Sequence, residues 1–248
     1  MGVRWLVGVP VHNEAPYIER VLSEVRRHAD HILVVNDGSS DGTGGILARI
    51  GGLVVRTHEE NEGYGQSMLD IFGYARAEGY DWLVTLDADE QHEPRTIRDF
   101  MRVAGENHVD VISGSRYMEH SLHEGAAPDD RRWINCQITQ LLNELTGYDL
   151  TDAFCGYKAY RVASLAKLDL SEAGYSLPLQ FWIQSARAGL TVKEIPVKLI
   201  YKDPGRRFGG DLDDPGRRLR YYLETIGREI GRHLEPICDG HKPECCCR

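Results

Sequence analysis

Residues 82–92 read Trp-Leu-Val-Thr-Leu-Asp-Ala-Asp-Glu-Gln-His. Five apolar or β-forming residues end abruptly in acids and an amide, the pattern of a buried strand that feeds an acidic turn. Working outward, residues 5–10, 31–35, 53–57 and 109–113 are further short β-rich runs. Between them Ile18, Val21, Leu22 and Val25 recur at helical spacing, as do Met68, Leu69, Phe72 and Ala75, and Ile97, Phe100, Met101 and Ala104. This alternation predicts an α/β chain with a mixed, mainly parallel sheet and crossover helices on its faces.

After Tyr117 the rhythm changes. A polar stretch through Asp130 reads as a loop, and Ile134, Ile138, Leu141, Leu142 and Leu145 mark a helix. A second helix is expected over 177–188, a strand over 192–200 and a glycine-rich loop over 204–215. The last helix carries Leu219, Tyr222, Leu223, Ile226, Ile230 and Leu234 at helical spacing, flanked by Arg217, Arg218, Arg220, Arg228 and Arg232. Such an amphipathic helix either docks on the domain or lies in an anionic membrane interface.

Composition bounds the function. The 248 residues are 42% hydrophobic and 27% charged, which suits one domain with at most an appendage. Twenty-nine Lys plus Arg against 38 Asp plus Glu give a formal charge of −9 and exclude a surface that gathers nucleic acid. The apolar opening, residues 5–11, is far shorter than the ~20 residues that span a bilayer and reads as a strand, not a signal. Leu6 stands where a myristoylation signal wants Ser or Thr. Without a secretory signal, reduced thiols are expected. Cys238, Cys245, Cys246 and Cys247 then form an oxidisable tail in preference to a zinc site, since three adjacent cysteines do not converge on one tetrahedral centre.

In open α/β sheets, ligands bind beyond the carboxyl ends of the strands, which places residues 9–14, 36–43 and 87–92 at the candidate site. Asp87 and Asp89 offer two hard oxygen ligands to one Mg²⁺ or Mn²⁺ that also takes diphosphate oxygens, and Gln91 adds a third. The competing reading is a solvated turn that caps a helix before Pro94. Asp37 and Asp41 frame a Gly-Ser turn where a carboxylate accepts hydrogen bonds from a nucleobase or ribose, or caps the helix that starts near Thr43.

The blocks VPVHNE (9–14), VNDGSSDGT (35–43), NEGYGQS (61–67), LDADEQH (86–92) and GSRY (114–117) resemble, in order and spacing, a family 2 glycosyltransferase of the dolichol-phosphate mannosyltransferase and polyprenyl-phosphate glycosyltransferase group. The likeness continues more loosely to about residue 208. It implies a GT-A, Rossmann-like domain over residues 1–212, a C-terminal helix over 213–236 and a disordered tail over 237–248. It further implies a nucleotide-diphosphate sugar donor, GDP- or UDP-linked, a Mg²⁺ or Mn²⁺ cofactor, and transfer of mannose or glucose with inversion to a polyprenyl phosphate. Carried over by position, Pro10, Asn13, Glu14, Asp37 and the Asp87-Ala88-Asp89 run bind donor, and Asp87, Asp89 and Gln91 hold metal. Asp89, Arg116 and Arg131 form the catalytic set, with Arg132 the alternative to Arg131 and Asp152 a base or an acceptor-orienting residue. The family's late basic block survives only as Lys202, Arg206 and Arg207, also assigned to donor, and its final Lys is replaced.

A lipid phosphate with a second pKa near ~6 is already ionised at neutral pH and needs no strong base, whereas a sugar hydroxyl needs one. The rival classes are a haloacid dehalogenase type phosphatase, which continues its D-x-D differently, and a dinucleotide oxidoreductase, whose glycine fingerprint is incomplete at Gly63-Tyr64-Gly65. A non-catalytic nucleotide-sugar binder and a transferase with a soluble hydroxyl acceptor stay open as alternatives. The expected location is cytoplasmic or peripheral on the cytoplasmic face of a membrane.

Overall fold

A computed structural model describes residues 2–106, 108–201 and 209–232. In chain order the elements are β1 (Trp5–Val11), α1 (Ile18–Val25), β2 (Ile32–Asp37), α2 (Thr43–Leu47), β3 (Val54–His58), α3 (Tyr64–Ala77), β4 (Trp82–Thr85), α4 (Ile97–Glu106), β5 (Val111–Ser115), β6 (His123–Glu124), α5 (Asp129–Thr146), β7 (Lys158–Arg161), α6 (Val162–Leu165), α7 (Leu177–Arg187), β8 (Val192–Pro196), β9 (Leu199–Ile200) and α8 (Pro215–Gly231). Seven strands form one sheet in the order β3-β2-β1-β4-β7-β5-β8, and β6 pairs with β9 in a second, two-stranded sheet.

Every pairing in the large sheet is parallel except those of β7, which runs antiparallel to both β4 and β5. Side chains alternate across the strands, so each face builds its own core. Leu6, Leu33, Leu83, Val111 and Tyr160 join the cluster with α3, α5, α7 and α8. Their neighbours Val7, Val34, Val84, Ile112 and Ala159 join the one with α1 and α4. The apolar stripe that the spacing predicts for α1, Ile18, Val21, Leu22 and Val25, is the buried one; on α4 Ile97 and Phe100 are buried as expected, but Val103 is the third buried residue, and Met101 and Ala104 are only partly buried.

Three local expectations are corrected, and one choice left open, on the last helix, is decided. The single strand expected over 192–200 is broken after Pro196, and β9 leaves the large sheet to pair with β6. The helix after the long loop starts at Asp129, ahead of its first apolar residue. β7 appears where the sequence carries no strand pattern, since four residues with charged ends give no alternation to read. The stripe on α8 is docked, not free for a lipid surface: Tyr222 and Ile226 sit in the core, Leu219 and Ile230 pack against it, and Leu223 alone of the described stripe is 45% exposed.

Polar bonds fix that docking. Glu229 is buried and takes Gln180 Nε2 at 2.8 Å on one oxygen and Gln184 Nε2 at 3.0 Å on the other. Thr225 Oγ1 donates to Ser176 Oγ at 2.9 Å. Leu234 and the cysteine tail lie outside the described residues. Of the two described cysteines, Cys136 is exposed and Cys155 buried, both free thiols.

Candidate active site

A cleft of about 780 Å³ opens at the carboxyl ends of β1, β2 and β4. Pro10, Asn13, Glu14, Asp37, Asp87, Ala88, Asp89, Gln91, Arg116 and Arg131 all line it. The fold thus brings together nearly every residue singled out by sequence. Asp152 lies beneath the lining and Lys202, Arg206 and Arg207 fall outside the described residues.

The turn after β1 is tied to the turn after β2. Asn13, held at φ 56°, accepts Ser40 N–H on Oδ1 at 2.8 Å, and its own N–H donates to Ser39 Oγ at 2.9 Å. Asp41 does the capping: Oδ1 accepts Thr43 N–H at 3.0 Å and Thr43 Oγ1–H at 2.6 Å, and Oδ2 accepts Ala15 N–H at 3.0 Å. Burial pushes the Asp41 carboxyl up, but these bonds outweigh it and hold it below the usual range. Asp37 is therefore released from capping and lies at the cleft wall. The NEGYG block owes its glycines to close approach, since a Cβ on Gly65 would lie 2.2 Å from the Glu172 carbonyl oxygen. That contact seats Tyr64 at the cleft, stacked on Tyr175 with ring centroids 5.8 Å apart.

The acidic floor is built with equal care. Asp87 N–H donates to His92 Nδ1 at 3.1 Å, and burial pushes the His92 ring down to about 4, so it is a neutral imidazole with its proton on Nε2. Asp89 Oδ1 accepts Gln91 N–H at 3.0 Å, which closes the turn on itself. Gly156 faces Asp87: a Cβ there would stand 2.7 Å from Oδ2 and 3.0 Å from Oδ1, so the missing side chain is the space the carboxylate fills. Beneath, the buried Lys158 ammonium donates to the Cys155 carbonyl and lies 5.4 Å from the Trp182 ring centroid. Burial also pushes the Cys155 thiol up to about 11, which leaves it an unreactive core group.

Two carboxylates and an amide at one strand end form a hard-oxygen donor set for Mg²⁺ or Mn²⁺. Among the described residues no group of three His, Cys, Asp or Glu converges on one point.

The same cleft is also lined by Arg116, Arg131 and Arg218. Arg116 follows β5 and clamps Asp152 through backbone N–H (3.1 Å) and Nε (2.7 Å) to Oδ2 and Nη2 (2.9 Å) to Oδ1. Phe154 N–H adds a fourth bond at 3.2 Å. Asp152 is 1% exposed; burial raises its carboxyl, but the Arg116 charge and bonds outweigh that and hold it below the usual range. Neither role expected of Asp152, base or acceptor-orienting residue, fits this geometry: its two oxygens are taken by Arg116 and Phe154, so it positions Arg116 instead. Behind it Glu194 Oε2 accepts Thr151 N–H and Oγ1–H, each at 2.7 Å.

Arg131 from α5 donates to the Tyr201 hydroxyl at 3.0 Å. Arg218 from α8 donates to Asp130 Oδ2 at 2.5 Å and to the Leu212 carbonyl at 2.9 Å. At 2% exposure it lines the cleft, although the sequence reads it as one of the basic residues flanking the apolar stripe. Its signal was present: Arg218, Tyr222, Thr225 and Glu229 fall three or four residues apart, one face of a helix that mixes polar with apolar groups.

Residues 6–169 match the model of glycosyl transferase family 2. The chain belongs to that family. A polyprenol monophosphomannose synthase from Mycolicibacterium smegmatis is 30% identical over 216 residues, 82% of this chain and 79% of its own length. A UDP-N-acetylglucosamine–dolichyl-phosphate N-acetylglucosaminyltransferase from Methanococcus voltae is 26% identical over 214 residues, 79% of this chain and 85% of its own. Among solved structures, glucosyl-3-phosphoglycerate synthase from Mycobacterium tuberculosis, in complex with Mn²⁺, UDP-glucose and glycerol 3-phosphate, superposes with a TM-score of 0.71 at 19% identity. It covers 93% of this chain and 81% of its own. The fold is therefore GT-A: a mostly parallel seven-stranded sheet flanked by helices, with a C-terminal helix added.

Proposed function

We propose that this glycosyltransferase moves mannose or glucose, with inversion, from a GDP- or UDP-linked donor to a polyprenyl phosphate. The observation that carries the reading is one cleft lined both by the acids after β4 and by Arg116, Arg131 and Arg218. A diphosphate leaving group and a phosphate acceptor both need cations, and this cleft offers three guanidinium groups besides the acids that would hold a metal ion. Two relatives named for polyprenol and dolichyl phosphates support the acceptor class.

In the proposed step an acceptor phosphate oxygen bonds to the anomeric carbon while the carbon–oxygen bond to the diphosphate breaks, and the electron pair leaves with the diphosphate. Asp87, Asp89 and Gln91 would hold Mg²⁺ or Mn²⁺, which would supply positive charge to the leaving diphosphate. Asp152 keeps the Arg116 guanidinium in one orientation toward phosphate. A hydroxyl acceptor would need a general base, and the residue singled out for that role has both oxygens occupied by donors.

No helix of the described residues is long and apolar enough to cross a membrane. With the α8 stripe docked, the reading assigns lipid contact to Trp133, 57% exposed beside an apolar cleft of about 350 Å³ that Ile134, Pro215, Gly216, Leu219, Asp129 and Asp130 complete. The cleft begins one residue from Arg131 on α5 and one from Arg218 on α8, so a phosphate at the cations leaves its hydrocarbon chain within reach of Trp133. The test is release of nucleoside diphosphate from a panel of GDP- and UDP-sugars with Mg²⁺ or Mn²⁺, with and without polyprenyl phosphate. Stimulation by the lipid supports the reading; binding without release points to a non-catalytic binder.

A further inference from the structure

His58 carries no motif in the sequence, yet it organises one end of the cleft. β2 and β3 run side by side with Asp37 opposite His58, and Asp70 reaches the same place from α3. His58 Nδ1 is 2.7 Å from Asp37 Oδ1, and Nε2 is 2.7 Å from Asp70 Oδ2. The His58 ring is 9% exposed and the Asp37 carboxylate 4%. Asp37 also accepts Glu62 N–H at 2.8 Å on Oδ1 and Gly63 N–H at 2.9 Å on Oδ2, while Gln66 Nε2 donates to the other oxygen of Asp70 at 3.2 Å. Asn61, Gly63 and Tyr64 from this loop line the cleft.

A neutral imidazole has one N–H and satisfies one carboxylate. Its second nitrogen would then aim a lone pair at a carboxylate oxygen 2.7 Å away, so both contacts are attractive only when both nitrogens are protonated. We propose that His58 is an imidazolium crossbar between Asp37 and Asp70 that fixes the loop at residues 61–64, and that nucleotide binding in the cleft weakens when the ring loses its proton. The last step rests on the cleft being the donor site; the crossbar itself does not.

The charged groups that face the ring are Asp37 from β2, Asp70 from α3 and Glu62 from the intervening loop. Burial opposes the charge, but the bonds to the two carboxylates outweigh it and raise the ring above its ordinary 6.5. With the folded value raised, the clamp is complete below 6.5 and is lost as pH climbs through the folded value. Loss of the proton turns a short ion pair into a contact between two acceptors, and the Glu62 and Gly63 amides lose their fixed partner.

The test uses the full ligand-free chain. Histidine side-chain ¹⁵N spectra between pH 5 and 9, assigned with His58→Gln, are expected to show both ring nitrogens of His58 protonated at pH 6 and the ring titrating above its ordinary 6.5. Hydrogen exchange at the Glu62 and Gly63 amides is expected to be slow, and to accelerate in His58→Gln and in Asp70→Asn, a substitution on the part-exposed α3 surface that leaves Asp37 intact. Asp70→Asn should also move the ring titration to lower pH. UDP and GDP with Mg²⁺ are the binding probes: whichever the wild type binds should bind His58→Gln about ten- to a hundredfold more weakly, the equivalent of one charge-assisted bond. A His58 ring that titrates at or below the ordinary 6.5, or exchange at Glu62 and Gly63 unchanged in both variants, overturns the crossbar. A wild-type chain that binds neither nucleotide refutes the donor-site reading instead, and the ring spectrum and exchange rates still decide the crossbar.

Discussion

Replacing Gly156 by alanine puts one methyl group against the Asp87 carboxylate. The new Cβ would lie 2.7 Å from Oδ2 and 3.0 Å from Oδ1, where ordinary contact begins at 3.4 Å. The carboxylate must therefore retreat by roughly 0.4–0.7 Å, about two to three and a half times the ~0.2 Å tolerance of a metal–ligand distance. Disturbing a group that supports a metal ligand weakens metal affinity about 10–100-fold, or about 1.4–2.7 kcal/mol. The backbone at Gly156 is not in the left-handed region, so the gain of about 0.4–1 kcal/mol usual for Gly→Ala offsets part of the clash and keeps Tm within about 4 °C of wild type. The assay is UDP and GDP binding across a Mn²⁺ titration. The expected result is a Mn²⁺ midpoint shifted 10–100-fold upward, with binding restored at high metal. An unshifted midpoint in a folded variant would refute the argument that this glycine makes room for a metal-binding carboxylate.

Other outcomes follow from the same geometry. Asp89→Ala should abolish metal-dependent nucleotide-sugar binding with the thermal melt unchanged, since the residue sits in a surface crevice; unchanged donor affinity at saturating metal counts against the assignment. Asp152→Asn leaves Arg116 without its buried counter-charge and should cost about 3–5 kcal/mol, a Tm loss of roughly 6–20 °C, and calorimetry checks it. Asp41 and Asp110 both have folded values below the ordinary 3.8, so the stability they contribute is present above that value and lost as pH falls through the folded ones. Urea titrations at pH 5 and pH 3 should show a lower midpoint at pH 3, and Asp110→Asn should narrow the difference. Trp133→Glu should reduce co-sedimentation with liposomes that contain polyprenyl phosphate, while Leu223→Glu should not.

The first five strands were legible because each is a short apolar run that stops at acids or glycine, and residues 82–92 show both halves of that signal. The strand ends then located Asp37, Asp87 and Asp89 without reference to any side-chain contact. β7 was not legible: its burial comes from insertion between β4 and β5, and Lys158, buried there, reads as a surface residue in isolation. Arg218 was misplaced for a related reason. A helical stripe chosen by apolar residues alone ignores polar groups on the same face, and only the partners of α8, Asp130 for Arg218 and Gln180 for Glu229, show which way that face turns. Asp152 was singled out as a base or an acceptor-orienting residue, and the bidentate contact with Arg116 gives it a third role that no sequence spacing shows.

The central claim is that the acceptor is a lipid phosphate met by the cleft arginines. Mass spectrometry of the product, after incubation of the full chain with GDP-mannose or UDP-glucose, Mn²⁺ and polyprenyl phosphate, addresses it directly. The account predicts a polyprenyl phosphate enlarged by one hexose, with the anomeric configuration inverted and the yield lost in Arg116→Ala and Arg218→Ala. Unmodified lipid alongside sugar transferred to a soluble hydroxyl acceptor would contradict it.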